Sequence, residues 1–154
     1  MIRPISVMIF FTRQLCQDIQ PKSGRARAAE REWNRRLELS QRYESLIQPL
    51  LPSSVVRFSR KSFHDAAVGA VSQSFGRVAL ILAARPRASG SYRGHRARLT
   101  FVGVRRRIRT SGLVGQWWLY NEIHLCSRTK FSLHLLFTKS ELEIEANEIL
   151  IEKL

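Results

Sequence analysis

The sequence predicts an α+β protein, with N-terminal helices packed on an antiparallel β-sheet meander. Three observations predict it. Apolar residues recur every three or four positions from Ala26 to Leu50, and the period changes to two after the stretch "SFHDA" at residues 62–66. The period-two segments then follow one another to the end with short turns between them, which is the pattern of hairpin-connected strands with one packed face and one wet face. With 154 residues, 44% hydrophobic and 25% charged, the chain has the composition of an ordinary globular domain. One domain over 1–154 is expected, with 8–52 as its helical part, 62–154 as its sheet, and Met8 as the natural start that leaves 1–7 as an extension.

Taken in order, "VMIFF" (Val7 to Phe11) is a short apolar run rich in strand formers. Thr12 follows and can N-cap a short helix through "RQLCQDI", which Pro21 stops. The next helix carries Ala29, Trp33, Leu37, Ser40, Tyr43, Ile47 and Leu50 on one stripe. Glu32 with Arg36 and Glu38 with Arg42 stand at the favourable four-residue spacing, and Pro49 and Pro52 close the helix. Beyond it Ala66, Val68 and Ala70 alternate, "FG" at 75–76 turns the chain, and Val78, Leu80 and Leu82 share the face of the next strand. After the Pro-, Gly- and Ser-rich loop "RPRASGSYRGHR", Leu99 and Phe101 alternate. In "QWWLYNEIHLC", Trp117, Leu119, Ile123 and Leu125 are assigned to the packed face, and Trp118, Tyr120, Glu122 and His124 to the other. Phe131, Leu133, Leu135 and Phe137 then line one face, and Leu142, Ile144 and Ala146 alternate with the ridge Glu141, Glu143 and Glu145. The early helix is expected to cover the apolar face of this sheet, with Trp33 and Trp117 in one core between them.

Charge is unevenly placed. Residues 1–109 hold 22 Lys/Arg and 6 Asp/Glu, a net of +16, and residues 110–154 hold 4 and 6, a net of −2. Such a balance can mean a nucleic-acid or membrane partner, and the plainer reading, a genome biased toward arginine, weighs slightly more. Cys16 and Cys126 lie far apart with no Cys-x-x-Cys, which argues for reduced thiols in a cytoplasmic protein and against a zinc knuckle. No run approaches the ~18 apolar residues of a membrane span, so no membrane partner is expected. The opening "MIRPISVMIFF" lacks a small-residue cleavage site, although the Arg-rich, acid-poor residues 1–29 also mimic a mitochondrial transit peptide.

His64 and Asp65 are the first candidate site. A hydrolytic metal needs further ligands, for which His124 and His134 are available across a sheet. The plainer reading makes the pair structural, Asp65 accepting turn amides and His64 fixing the same corner. The second candidate is cationic: Arg85, Arg87, Arg93, Arg96 and Arg98 in or beside one loop, and Arg105, Arg106, Arg107 and Arg109 past the next strand. With Tyr92 interleaved they can track phosphates, yet a strand separates the two clusters and only weak, salt-sensitive binding is expected. The glutamate ridge reads as a solvated strand face, no Gly-x-Ser-x-Gly or phosphate-cradling motif occurs, and no cofactor is indicated.

"MIFFTRQL" at 8–15, the helix "EREWNRR…RYESL", "SFHDA" at 62–66, "LTFVGV" at 99–104, "WWLYNEI" at 117–123 and "LEIEA" at 142–146 together resemble a family of uncharacterised bacterial proteins, a domain of unknown function. The resemblance covers nearly the whole chain from Met8. The Phe-His-Asp-Ala turn is also similar to one in immunity proteins of bacterial polymorphic-toxin systems, which implies a non-enzymatic protein that binds another protein. Immunity proteins of this type tend to be acidic, and the cationic character of this chain turns it away from a basic nuclease toxin. The leading reading is therefore an immunity-like protein-binding domain; a nucleic-acid-binding protein using the Arg loops comes second, and a metal-dependent hydrolase at His64 and Asp65 third.

Overall fold

The computed structural model describes residues 8–84 and 95–154. Arg85, Arg87 and Arg93, and the extension 1–7, lie outside them. Thr12 caps helix α1 (Arg13–Asp18) by accepting from the Leu15 amide at 3.3 Å, as its position before an apolar-periodic segment predicts. Helix α2 (Ala26–Ile47) ends in a 3-10 turn, Gln48–Leu50, where Pro49 removes a donor. Both expected ion pairs are present on it, Arg36–Glu32 at 2.6 Å and Arg42–Glu38 at 2.5 Å. Helix α3 (Ser53–Ser59) is not among the predicted elements; at seven residues it is too short to show a period, and it is held by burying Val55 and Phe58.

Strands β1 (Ala67–Ser74), β2 (Gly76–Ala83), β3 (Ala97–Val104), β4 (Trp118–Leu125), β5 (Phe131–Phe137), β6 (Glu141–Ala146) and β7 (Glu148–Lys153) are all antiparallel. The α+β class holds, but the expected single meander is two sheets, β1-β2-β3-β7 and β4-β5-β6. The break follows from β7. It returns to pair with β3 from Ala97↔Lys153 to Val102↔Glu148, so that edge is not free for β4. Residues 105–117 instead carry the chain to the second sheet.

The apolar faces of the two sheets cover each other. Val78, Leu80, Leu82, Leu99 and Phe101 from one sheet and Phe131, Leu133, Leu135, Phe137, Leu142 and Ile144 from the other are all buried in one cluster. Alternation identified each of these residues. It did not identify their cover, which is chiefly the other sheet, with Ile47 at the end of α2 and Val55 and Phe58 of α3 joining the same cluster.

The N-terminal segment and α2 lie against the opposite face of β4 and β5, where Met8, Phe11 and Leu136 are buried with Trp33, Leu119 and Tyr120 around them. Strand β5 is consequently buried at every position, on both faces. "VMIFF", read as a strand former, is irregular over its described residues 8–11. Its backbone is satisfied by side chains instead of a ladder, as the site geometry below shows.

The face assignments at the start of β4 are corrected: Leu119 packs beside Met8 and Phe11, away from Ile123 and Leu125, and the two tryptophans exchange places. Trp118 is 1% exposed in the inter-sheet core and Trp117 is 40% exposed, the reverse of the sequence expectation. The register of β4 shifts between Trp118 and Tyr120, a bulge that adds one residue and flips the alternation, so Trp118 shares its face with Ile123. Trp33 and Trp117 therefore do not meet in one core.

Candidate functional site

The face of β4 and β5 assigned to solvent is the most chemically dense part of the interior. The register sets Glu122 opposite His134 and His124 opposite Ser132, so two Glu/Ser-x-His pairs on neighbouring strands converge on one face. Glu122 is 4% exposed, Ser132 1% and His134 8%. A buried carboxylate demands compensation, and Glu122 receives four hydrogen bonds. The Phe10 and Phe11 amides donate to Oε1 at 2.6 and 2.7 Å, and the Ile9 amide donates to Oε2 at 2.8 Å. The ring Nε2 of His124 stands 3.0 Å from Oε2. Burial by itself pushes the Glu122 carboxyl up, but the contact with His124 and the amides of Phe11, Ile9 and Phe10 outweigh it and hold the group below its ordinary value.

The other side of the same segment is held by Arg36 of α2, whose Nη1 donates to the carbonyls of Ile9 and Phe10 at 3.2 and 3.1 Å. Arg13 ties the start of α1 to the β5–β6 turn through the carbonyls of Phe137, Thr138 and Ser140. Phe10 lies parallel to the His124 ring at 6.0 Å, and Tyr43 lies 5.3 Å from it. The rings of His124 and His134 are 4.4 Å apart. Glu143, from the solvated ridge of β6, accepts from Ser132 Oγ at 3.0 Å and stands 3.6 Å from His134 Nε2.

Among the described residues, Glu122, His124 and His134 are the one group of three metal-ligating side chains brought together, with their ligand atoms within 4.8 Å of one another. His64 does not join them. Its Nδ1 donates to the Leu119 carbonyl at 2.5 Å, and its ring packs on Tyr120. His64 and Asp65 sit in a turn closed by the Ala66 amide donating to Phe63, with Asp65 at φ 67° and its own amide donating to the Trp118 carbonyl. The corner is thus pinned to β4 on both sides. Sequence spacing alone offers His124 and His134 as further ligands for His64; the signal for their grouping with Glu122 is a histidine on each of two consecutive strands whose opposite faces are apolar.

Of the cationic residues, those described lie at the two ends of β3, while Arg85, Arg87 and Arg93 lie outside the described residues. Arg96 and Arg98 stand at the start of β3, and Arg98 is engaged by Glu152 at 2.6 Å. Arg105, Arg106 and Arg107 follow its end, all exposed, and line a cleft of about 800 Å³ with Phe75, Gly76, Gly103 and Asn147. Phe75 is fully exposed at the tip of the β1–β2 hairpin, where Gly76 takes φ 74°. Gly103, at φ 82°, lets the Asn147 side chain lie where a Cβ would stand, 2.6 Å from its amide nitrogen.

With this geometry in view, the chain is similar to a family described as a protein of unknown function, DUF4085, whose model matches residues 16–146. An uncharacterized protein from Neisseria gonorrhoeae, known from its crystal structure, superposes with a TM-score of 0.43 at 12% identity, over 60% of this chain and 95% of that one. No curated protein matches. No helix of the described residues is long and apolar enough to cross a membrane.

Proposed function

The chain belongs to the DUF4085 family, and we propose that it acts by binding and not by catalysis, taking an acidic segment of another protein at the Phe75 cleft. The observation that carries this reading is a fully exposed phenylalanine beside three exposed arginines in one concave surface. Covering a phenyl ring is worth about 1.5–3 kcal/mol. Guanidinium groups pair with carboxylates in bidentate fashion, and aromatic and arginine side chains dominate the energetics of interfaces. The net charge of +14 steers an acidic partner toward the whole molecule. The similarity of the Phe-His-Asp-Ala turn to immunity proteins supports the same mode of action, occlusion of a partner's surface, with the partner acidic by complementarity.

Single-stranded nucleic acid is the second reading, because an exposed ring among arginines also stacks a base and holds phosphates. Continuity of charge weighs against it. The described cations at the other end of β3 include Arg98, which Glu152 already engages, and a phosphate track needs an unbroken line.

Fluorescence anisotropy with an aspartate- and glutamate-rich peptide and with a short single-stranded oligonucleotide separates the readings. At physiological salt the peptide is expected to bind, with Phe75→Ala and the triple reversal of Arg105, Arg106 and Arg107 to Glu each weakening it by about tenfold or more. Oligonucleotide binding that survives that salt and falls in the same variants would replace the protein reading with the nucleic-acid one. Binding of neither probe, or binding indifferent to both variants, would remove the cleft as a site.

A further inference from the structure

We propose that Glu122, His124 and His134 form a binding site for a divalent transition-metal ion, with zinc as the representative of the class. Two imidazoles and a carboxylate are a donor set that suits zinc, nickel, copper and iron and does not suit calcium or magnesium. In a tetrahedral zinc site, ligand atoms about 2.0–2.1 Å from the ion lie roughly 3.3–3.4 Å from each other. His124 Nε2 and Glu122 Oε2 stand at 3.0 Å, so an ion can replace the proton that now joins them with little movement. All three ligand atoms fall within 4.8 Å, and the farthest has to shift by at most roughly 1.5 Å to complete three corners, leaving a fourth for water.

The surroundings are those that orient ligands. The amides of Phe10 and Phe11 fix Oε1 of Glu122 and that of Ile9 fixes Oε2, which sets the plane of the carboxylate. Phe10 and Tyr43 hold the plane of His124. Glu143, 3.6 Å from His134 Nε2, stands where a small movement makes it the carboxylate partner of that ring when Nδ1 ligates. None of the cluster's residues lines the Phe75 cleft, so the metal site stands or falls independently of the binding function proposed there.

Calorimetric titration of the metal-free full chain with zinc chloride tests it. One ion per chain is expected, with an affinity weakened by at least about tenfold in His124→Ala and in His134→Ala. Cobalt(II) in place of zinc is expected to show the visible absorption of a low-coordinate nitrogen and oxygen site in the parent and to lose it in both variants. Histidine ring nitrogen shifts followed by NMR use the unaltered protein and do not depend on the variants folding. Zinc is expected to move the ring signals of His124 and His134 and to leave those of His64 and His95 in place. No stoichiometric zinc, zinc binding indifferent to both substitutions, or shifts confined to His64 or His95 would overturn the proposal and leave the cluster as an internal hydrogen-bond network.

Discussion

The two faces of β5 are both buried, yet they are built on opposite chemistry. Toward the first sheet it presents Phe131, Leu133, Leu135 and Phe137, which join one large apolar cluster. Toward α2 and the N-terminal segment it presents Ser132, His134 and Leu136, and the neighbouring strand adds Glu122 and His124. The first interface is held by area, which tolerates many residues of the right size. The second has a smaller apolar cluster and adds to it one carboxylate whose partners are three consecutive backbone amides and a histidine. An interface of the first kind fails gradually as atoms are removed; one of the second kind fails at a single group, because each partner left behind is buried and unpaired.

Substitutions on the two faces should separate these behaviours. The largest effect is expected in the apolar layer. Trp118→Ala should cost about 3–5 kcal/mol in urea denaturation, while Trp117→Ala costs less than about 1 kcal/mol. Equal losses in the two would mean that the bulge in β4 is wrongly placed. In the polar layer Glu122→Ala should cost about 2–4 kcal/mol, since hydrogen bonds to a charged acceptor are worth roughly 1.5–3 kcal/mol and the freed amides lose their acceptor. Glu122→Gln, which keeps one acceptor oxygen, should fall between it and the parent.

Arg36→Ala removes donors from the carbonyls of Ile9 and Phe10 and should cost about 1 kcal/mol. Denaturation midpoints compared with Arg35→Ala, whose exposed guanidinium hydrogen-bonds to Glu32, give the control. Breaking the exposed Glu38–Arg42 pair should change stability by no more than about 0.5 kcal/mol. A larger loss there would show the outer face of α2 to be covered.

Much of the apolar layer was legible in the sequence because alternation is a local signal. Val78, Leu80 and Leu82, or Leu142, Ile144 and Ala146, announce a packed face whatever packs on it. What packs on it is decided elsewhere, by β7 taking the open edge of β3, and no local pattern states that. Trp118 was misplaced because a bulge reverses alternation without changing composition. The polar layer was the hardest to read. Period-two reasoning gives a strand one wet face, and Glu122 and His124 satisfied that rule on paper. Their burial depends on Ile9, Phe10 and Phe11, more than 100 positions away in the chain, whose own apolar run looked like a strand. Nothing local groups His124 and His134 with Glu122, because the register that sets Glu122 opposite His134 is written in neither strand alone.

Amide hydrogen exchange at Ile9, Phe10 and Phe11 tests most directly whether Glu122 closes the polar layer. In the parent these three amides should be protected although they belong to no helix or strand, and in Glu122→Ala they should exchange near the rate of an unstructured chain while Leu80, Leu99 and Phe101 keep their protection. Fast exchange of the three amides in the parent, or protection unchanged by the substitution, would contradict it.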